Sequence, residues 1–298
     1  MTVSILIPAY HAGAFIRTAL DSVRAQAHAD WEVVVVEDGS HDETEDHVTR
    51  FAAGGVQPVR YENFGSNRGV GAVRNRLLEL ARGHAVAFLD ADDRWEPAHL
   101  ANAVDRLARG ADVVISDVRT FDLATGHPLE LHVPPSALVA NPVLTLFQAS
   151  VIITSSAVVL SRELCQRVGT FDEVLRIGED RDYWLRAALQ GARFALTGAA
   201  TCHYAKHLSS SMARTYVVAQ HVTRFYEKYR HLDAVPTALR KHLLADSLLC
   251  EGRLLRQHNP AYSAGCFLRA WQCEPLNPRT LLHLAFTGWR SVTAPRAA

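Results

Sequence analysis

The sequence predicts an α/β fold, a mainly parallel sheet flanked by helices with an all-helical C-terminal extension, on three observations. Short apolar runs rich in β-branched residues alternate with segments of helical period over the first half of the chain. Several of those runs end in polar clusters, Pro8-Ala9-Tyr10, Glu37-Asp38 and Asp90-Ala91-Asp92, at the strand ends where α/β sheets bind ligands. From about Met212 onward only helical patterns remain.

In chain order, Val3 to Ile7 reads as a buried strand stopped by Pro8, and Ala14 to Gln26 as a helix with Phe15, Ala19, Leu20 and Val23 on one face. Trp31 to Val36 is a second buried strand. Acids at Asp42, Glu43 and Glu45 suit the positive end of the helix that follows. Val56 to Asn63 reads as a strand, Val70 to Arg82 as a helix and Ala85 to Leu89 as a fourth strand. A helix from Pro97 to Ala108 then leads to a strand at Val113 to Ile115. Phe121 to Asn141, rich in proline, reads as a hairpin or a long loop over the site. Thr154 to Leu160 and Phe194 to Thr201 read as strands, with Asp180 to Gln190 an amphipathic helix between them. Helices over Val217 to Tyr229, Thr237 to Gln257, Ala261 to Glu274 and Pro278 to Gly288 complete the chain. Their weak tetratricopeptide-like pattern is too short for a free-standing solenoid, so it reads as a helical cap. The expected domains are 1–212 and 213–298.

Composition narrows the function. The 298 residues are 48% apolar and 21% charged, so a sizeable core is expected. Thirty-one basic residues balance 31 acidic ones, which argues against a nucleic-acid partner. Five cysteines without a C-x-x-C pattern point to reduced thiols in the cytoplasm. No signal-peptide pattern opens the chain and no apolar stretch approaches the ~20 residues of a spanning helix. Leu281 to Trp289, followed by Arg290 and Arg296, reads as a core-facing helix of the cap, with peripheral contact at the inner membrane face as the second reading. A dehydrogenase would need Gly-x-Gly-x-x-Gly after the first strand, and Pro8-Ala9-Tyr10-His11-Ala12-Gly13 does not supply it.

The chemistry concentrates in Phe88-Leu89-Asp90-Ala91-Asp92-Asp93. Asp90 and Asp92, two apart on extended backbone, can share one site, and their hard oxygens suit Mg²⁺ or Mn²⁺ bridging a diphosphate. Tyr10 can lie against a planar base, and Asp38 can accept from a base N–H or a ribose hydroxyl. Arg74, one turn into its helix after Asn67-Arg68-Gly69, can face a base or phosphate. Glu179 and Asp180 open a helix, where acids are ordinary; neighbouring carboxylates also raise one pKa into the range of a general base. His203 and His207 are spaced as a zinc pair, but no third ligand is evident.

Together, Val3-Ser4-Ile5-Leu6-Ile7-Pro8-Ala9-Tyr10, Val36-Glu37-Asp38-Gly39-Ser40, Asn67-x-Gly69 with Arg74-Asn75, Leu89-Asp90-Ala91-Asp92-Asp93 and Gly178-Glu179-Asp180 resemble family 2 glycosyltransferases of the GT-A fold over residues 1 to 212. The resemblance implies metal-dependent inverting transfer from a nucleotide diphosphate sugar, UDP-sugars being the commonest donors, to a glycan, lipid-linked or protein acceptor in bacterial surface glycan or glycoconjugate synthesis. It places Pro8, Ala9, Tyr10, Glu37, Asp38, Asn67, Gly69, Arg74, Asp90 and Ala91 at the nucleotide sugar. Asp90 and Asp92 fall at the metal, and Asp180 beside Glu179 at the acceptor proton. Tyr204-Ala205-Lys206-His207-Leu208-Ser209-Ser210 resembles the family's Tyr-Arg-x-His-x-x-Ser pattern, which makes His207 a further metal ligand or diphosphate contact. Ala205 stands where that pattern has arginine, with Lys206 or Arg214 as the substitutes, and Glu37 stands where aspartate is commoner. The rival is a catalytically weak nucleotide-sugar-binding or scaffolding protein that meets a partner, or a second copy, through the helical tail.

Overall fold

A computed structural model describes residues 1–55, 57–206 and 215–279. The chain divides into two compact units, Met1–Leu208 and Ser209–Ala298. The expected boundary at 212, His207, Arg214, and the helix from Pro278 with its Leu281 to Trp289 stretch fall wholly or mainly outside the described residues.

The first unit opens with β1 (Val3–Ala9), α1 (Ile16–Arg24), β2 (Trp31–Glu37), α2 (Thr44–Ala53), β3 (Val59–Asn63), α3 (Val70–Leu80) and β4 (Ala85–Phe88). β3, β2, β1 and β4 lie side by side, all parallel. The apolar runs are continuous because helices cover both faces, and β2 is buried along its whole length. Pro8 does not stop β1. The strand runs on to Ala9 because its pairing to β4 ends at Leu6, so the missing N–H falls where only β2 is a partner.

Beyond β4 the sheet becomes mixed. β5 (Arg94–Trp95) precedes α4 (His99–Ala108), and Trp95 lies in this short strand. Its ring is held by Nε1 donating to Ser156 O at 2.7 Å. β6 (Val113–Asp122) and β7 (Pro128–His132) form the hairpin alternative for the proline-rich stretch. α5 (Ala137–Ala140) and α6 (Pro142–Gln148) follow, then a 3-10 turn at Ser155–Ala157, β8 (Val158–Ser161), α7 (Arg162–Val168), α8 (Glu179–Leu189) and β9 (Phe194–Lys206). Thr154 to Leu160 is therefore a turn and a strand. β8 runs antiparallel between β4 and β6, while β6 and β9 are parallel and extend far past the expected strand ends. The sheet order is β3-β2-β1-β4-β8-β6-β9-β5, with β7 on β6.

The second unit contains α9 (Thr215–Lys228), α10 (Thr237–Leu255) and α11 (Pro260–Cys273). α10 and α11 bury Leu248, Leu249, Cys266 and Phe267 between them. Gly252 lets them approach, since a Cβ there would stand 2.7 Å from the Phe267 ring. All five cysteines are free. Among the described residues no helix is long and apolar enough to cross a membrane.

Candidate active site

The carboxyl ends of β1 and β2 are tied together by Asp38 N–H donating to Ala9 O at 2.8 Å. Tyr10 projects from this edge, 52% exposed, with its ring 4.3 Å from that of His11. Glu37 and Asp38, expected at the nucleotide sugar, are buried and engaged with the protein itself. Glu37 accepts from Tyr61 OH at 2.9 Å and from the Ser40 hydroxyl. Asp38 accepts the backbone N–H of Arg68 at 2.6 Å and of Gly69 at 2.9 Å, one on each oxygen. Asp38 therefore braces the Asn67-Arg68-Gly69 loop, and its side chain does not cap α2. That start is served by Asp42, which accepts from Thr44 N–H at 3.1 Å. Gly39 makes the close packing possible: its φ is 78° and a Cβ would meet Ser66 backbone at 2.4 Å. Asn67 and Arg68 are left exposed at the rim, and the exposed Arg176 brings its guanidinium beside Gly69.

At the end of β4 the acidic run turns back under itself. Asp90 N–H donates to Ser156 Oγ at 2.9 Å, which fixes the loop to the turn before β8. Asp93 is fully buried, accepting from Thr154 Oγ1 at 3.0 Å and from Ala205 N–H at 2.9 Å. Burial, with the charges of Asp90 and Asp92 beside it, pushes the Asp93 carboxyl well above the usual range. Asp90 and Asp92 stay partly exposed at the mouth.

Arg74 joins this loop to α8. Its Nη2 donates to Asp90 Oδ1 at 3.2 Å and its Nη1 to Glu179 Oε1, with only 4% of the residue exposed. The guanidinium lies over the rings of Phe88 and Phe171, at 5.9 and 5.7 Å. Burial disfavours its charge, but Glu179, Asp90 and Asp180 more than offset this and hold its pKa above the ordinary value. Burial drives Glu179 up to about 7, with Arg74 pulling it down and Asp180 and Asp90 pushing it up. Asp180 is raised as well, by burial and by Asp90, against the pull of Arg74 and the Arg181 N–H. Two adjacent acids with raised pKa values thus face one buried cation.

The start of α8 is set by Gly178, left-handed at φ 79°. Arg181 holds it against α6, its Nε donating to Leu146 O at 2.9 Å and its Nη2 to Phe147 O at 2.8 Å. Behind the acids, Tyr183 stacks on Phe171 at 4.1 Å and Phe88 meets Phe171 edge-on at 5.6 Å. Sequence reasoning did not single out Asp93, Thr154 or Ser156 as site residues. Asp93 had a signal, its place in the acidic run, whereas Thr154 and Ser156 were read inside a strand.

At the end of β9, Lys206 lies 3.4 Å from Glu130 Oε2, so this substitute for the family's arginine is paired across to β7. His203 Nε2 lies 2.7 Å from Glu96 Oε1 rather than in a metal cluster. Among the described residues no group of three or more His, Cys, Asp or Glu is arranged to hold a metal ion. The all-oxygen donors Asp90 and Asp92 still fit a hard divalent cation. Their charges raise Asp93, a repulsion such an ion would relieve.

Residues 4–168 match the family described as Glycosyl transferase family 2. The amylovoran biosynthesis glycosyltransferase AmsB of Erwinia amylovora is 30% identical over 216 residues, 67% of this chain and 68% of its own length. In three other curated relatives the match spans 55%, 37% and 54% of their lengths, about half of each. Staphylococcus aureus TarS 1–349, solved in complex with UDP-GlcNAc, superposes with TM-score 0.70 at 19% identity over 99% of this chain and 93% of that one. The mannosyltransferase PcManGT from Pyrobaculum calidifontis, solved with GDP-Man and Mn²⁺, gives TM-score 0.63 at 24% identity over 98% and 81%. At these identities the structural likenesses establish the fold.

Proposed function

Since the chain belongs to glycosyl transferase family 2, we propose that it is a divalent-metal-dependent, inverting glycosyltransferase that moves a sugar from a nucleotide diphosphate sugar to a hydroxyl acceptor in polysaccharide synthesis. One observation carries the reading. Arg74 gathers Asp90 and Glu179, 16 and 105 residues away, at the carboxyl end of β4, with Asp180 beside them. Glycan assembly as the setting is supported by the name of AmsB, and a nucleotide-sugar donor by the ligands of TarS and PcManGT.

In this reading Pro8, Ala9 and Tyr10 flank the nucleoside together with the Asn67–Gly69 loop, and Asp38 braces that loop from beneath. Asp90 and Asp92 would hold Mn²⁺ or Mg²⁺. When bound, the ion supplies positive charge against the departing diphosphate. Asp180 takes the proton of the acceptor hydroxyl, which attacks the anomeric carbon opposite the leaving group and inverts it. Arg74 keeps Glu179 and Asp90 in register.

Ligand-induced thermal stabilisation tests the donor site. UDP, GDP, dTDP and CDP are each compared with and without Mn²⁺. A ligand held at a hundred times its dissociation constant adds ~2.7 kcal/mol of stability. One nucleotide class is expected to stabilise the protein, more so with Mn²⁺, and Asp92→Ala is expected to abolish the metal's share. No shift with any nucleotide would count against the proposal.

A further inference from the structure

The carboxyl edge of the sheet also carries polar side chains with no place in the mechanism above. Asp117, on β6, is 8% exposed, and its Oδ1 has no hydrogen-bond partner among the described residues. Ser116 next to it and Ser155 in the 3-10 turn are each 1% exposed, and their hydroxyls too have no partner among the described residues. Buried polar atoms without partners are costly, and native structures keep few of them. Burial alone pushes the Asp117 carboxyl upward.

Their position follows from the register. β8 lies between β4 and β6: Leu160 faces Val86 on one side and Val113 on the other, and Val159 faces Ala87 and Val114. Four residues on from Val86 and Val113 stand Asp90 and Asp117, so the two aspartates are level on the sheet. They are two strand spacings apart, roughly 10 Å. Asp117 shares a strand face with Ile115. The Ser155–Ala157 turn packs on both β4 and β6, and its Ser156 already anchors Asp90.

The proposed donor lies along this same edge, with the nucleoside at the ends of β1 to β3 and the diphosphate at the end of β4. The next stations in that direction are the turn and β6. We infer that Asp117, with Ser155, forms the subsite that hydrogen-bonds the hydroxyls of the transferred hexose and so selects which sugar is carried. The inference rests on the transferase reading. A carboxylate accepts from a sugar hydroxyl, and a serine hydroxyl both donates and accepts, so the pair can read a hydroxyl by its orientation on the ring. A site built to bond a hydroxyl rejects an epimer whose hydroxyl points elsewhere, because its buried groups are then left unpaired.

The test compares dissociation constants of UDP-glucose, UDP-galactose, UDP-N-acetylglucosamine and GDP-mannose with those of free UDP and GDP, for the wild type, Asp117→Ala and Ser155→Ala. The expected result is a preferred sugar nucleotide in the wild type that Asp117→Ala binds about 10–100-fold more weakly. Preference among the hexoses then flattens, while affinity for the free diphosphate stays within about twofold. Ser155→Ala should shift preference in the same direction, and it carries the comparison if Asp117→Ala fails to fold. Parallel loss of diphosphate and sugar-nucleotide binding would mark a merely structural residue, and unchanged preference would overturn the assignment; in both cases the transferase reading stands. No nucleotide binding by the wild type would remove that reading, and this inference with it.

Discussion

An Asp180→Asn variant is expected to bind nucleotide as the wild type does and to lose transfer by about 10²–10⁴-fold, the range for removing a general base. Asp180 sits in the first turn of α8, with its carboxyl raised by burial and by Asp90. A raised pKa keeps an acid protonated to higher pH, and a base must be ionised to act. The transfer rate should therefore climb with pH over a range above that of an ordinary aspartate, and then level off. The ascending limb should survive in Glu179→Gln, which leaves the base in place. Steady-state transfer measured against pH checks this. If Asp180→Asn keeps near-normal turnover while Glu179→Gln loses it, the base is Glu179 and the assignment above is wrong.

Arg74→Met should have the largest effect on stability. The methionine keeps much of the side-chain volume over Phe88 and Phe171 but leaves Glu179 buried without its cation and Asp90 without its brace. Removing one partner of a buried ion pair costs about 3–5 kcal/mol, because the remaining charge stays desolvated. The loss should grow as pH rises above about 7. Without the guanidinium, Glu179 loses the largest influence that lowers its pKa, so the carboxyl stays protonated to higher pH and its uncompensated charge appears only above that range. Acidification through that range should therefore restore part of the stability in the variant relative to the wild type. Urea unfolding of both proteins at neutral and mildly alkaline pH measures it. A variant as stable as the wild type at mildly alkaline pH would show that the guanidinium does not neutralise Glu179.

The parallel half of the fold was legible in the sequence because three of its four strands, β1, β2 and β4, are buried on both faces. Val3 to Ile7, Trp31 to Val36 and Ala85 to Leu89 are apolar runs that no exposed segment would carry, and the acids interrupting the last of them stand out for that reason. β6 beyond Ile115 and β9 beyond Thr201 were not legible. Ser116, Asp117, Arg119 and Thr120 break the apolar signal, and those stretches are strands because β6 and β9 pair with each other along almost their whole length. β5 is only two residues long and depends on His203 and Cys202 as partners. The site shows the same division. Residue types marked Asp90, Arg74 and Asp180, but whether a carboxylate faces a ligand or the protein depends on distant backbone. Asp38 is taken by N–H groups 30 and 31 residues away, and Asp93 by one 112 residues away.

On the proposed function this edge performs chemistry and does not merely hold a nucleotide sugar. Release of nucleoside diphosphate from a panel of UDP-, GDP-, dTDP- and CDP-sugars, followed for the wild type, Asp92→Ala and Asp180→Asn with Mn²⁺ and with chelator, tests it most directly. Turnover is expected with one nucleotide class. That turnover should require the metal, vanish in Asp92→Ala and fall at least 10²-fold in Asp180→Asn. Tight, metal-dependent binding with no release above the rate of either variant would contradict it, and would leave a nucleotide-sugar-binding protein whose work lies elsewhere in the chain.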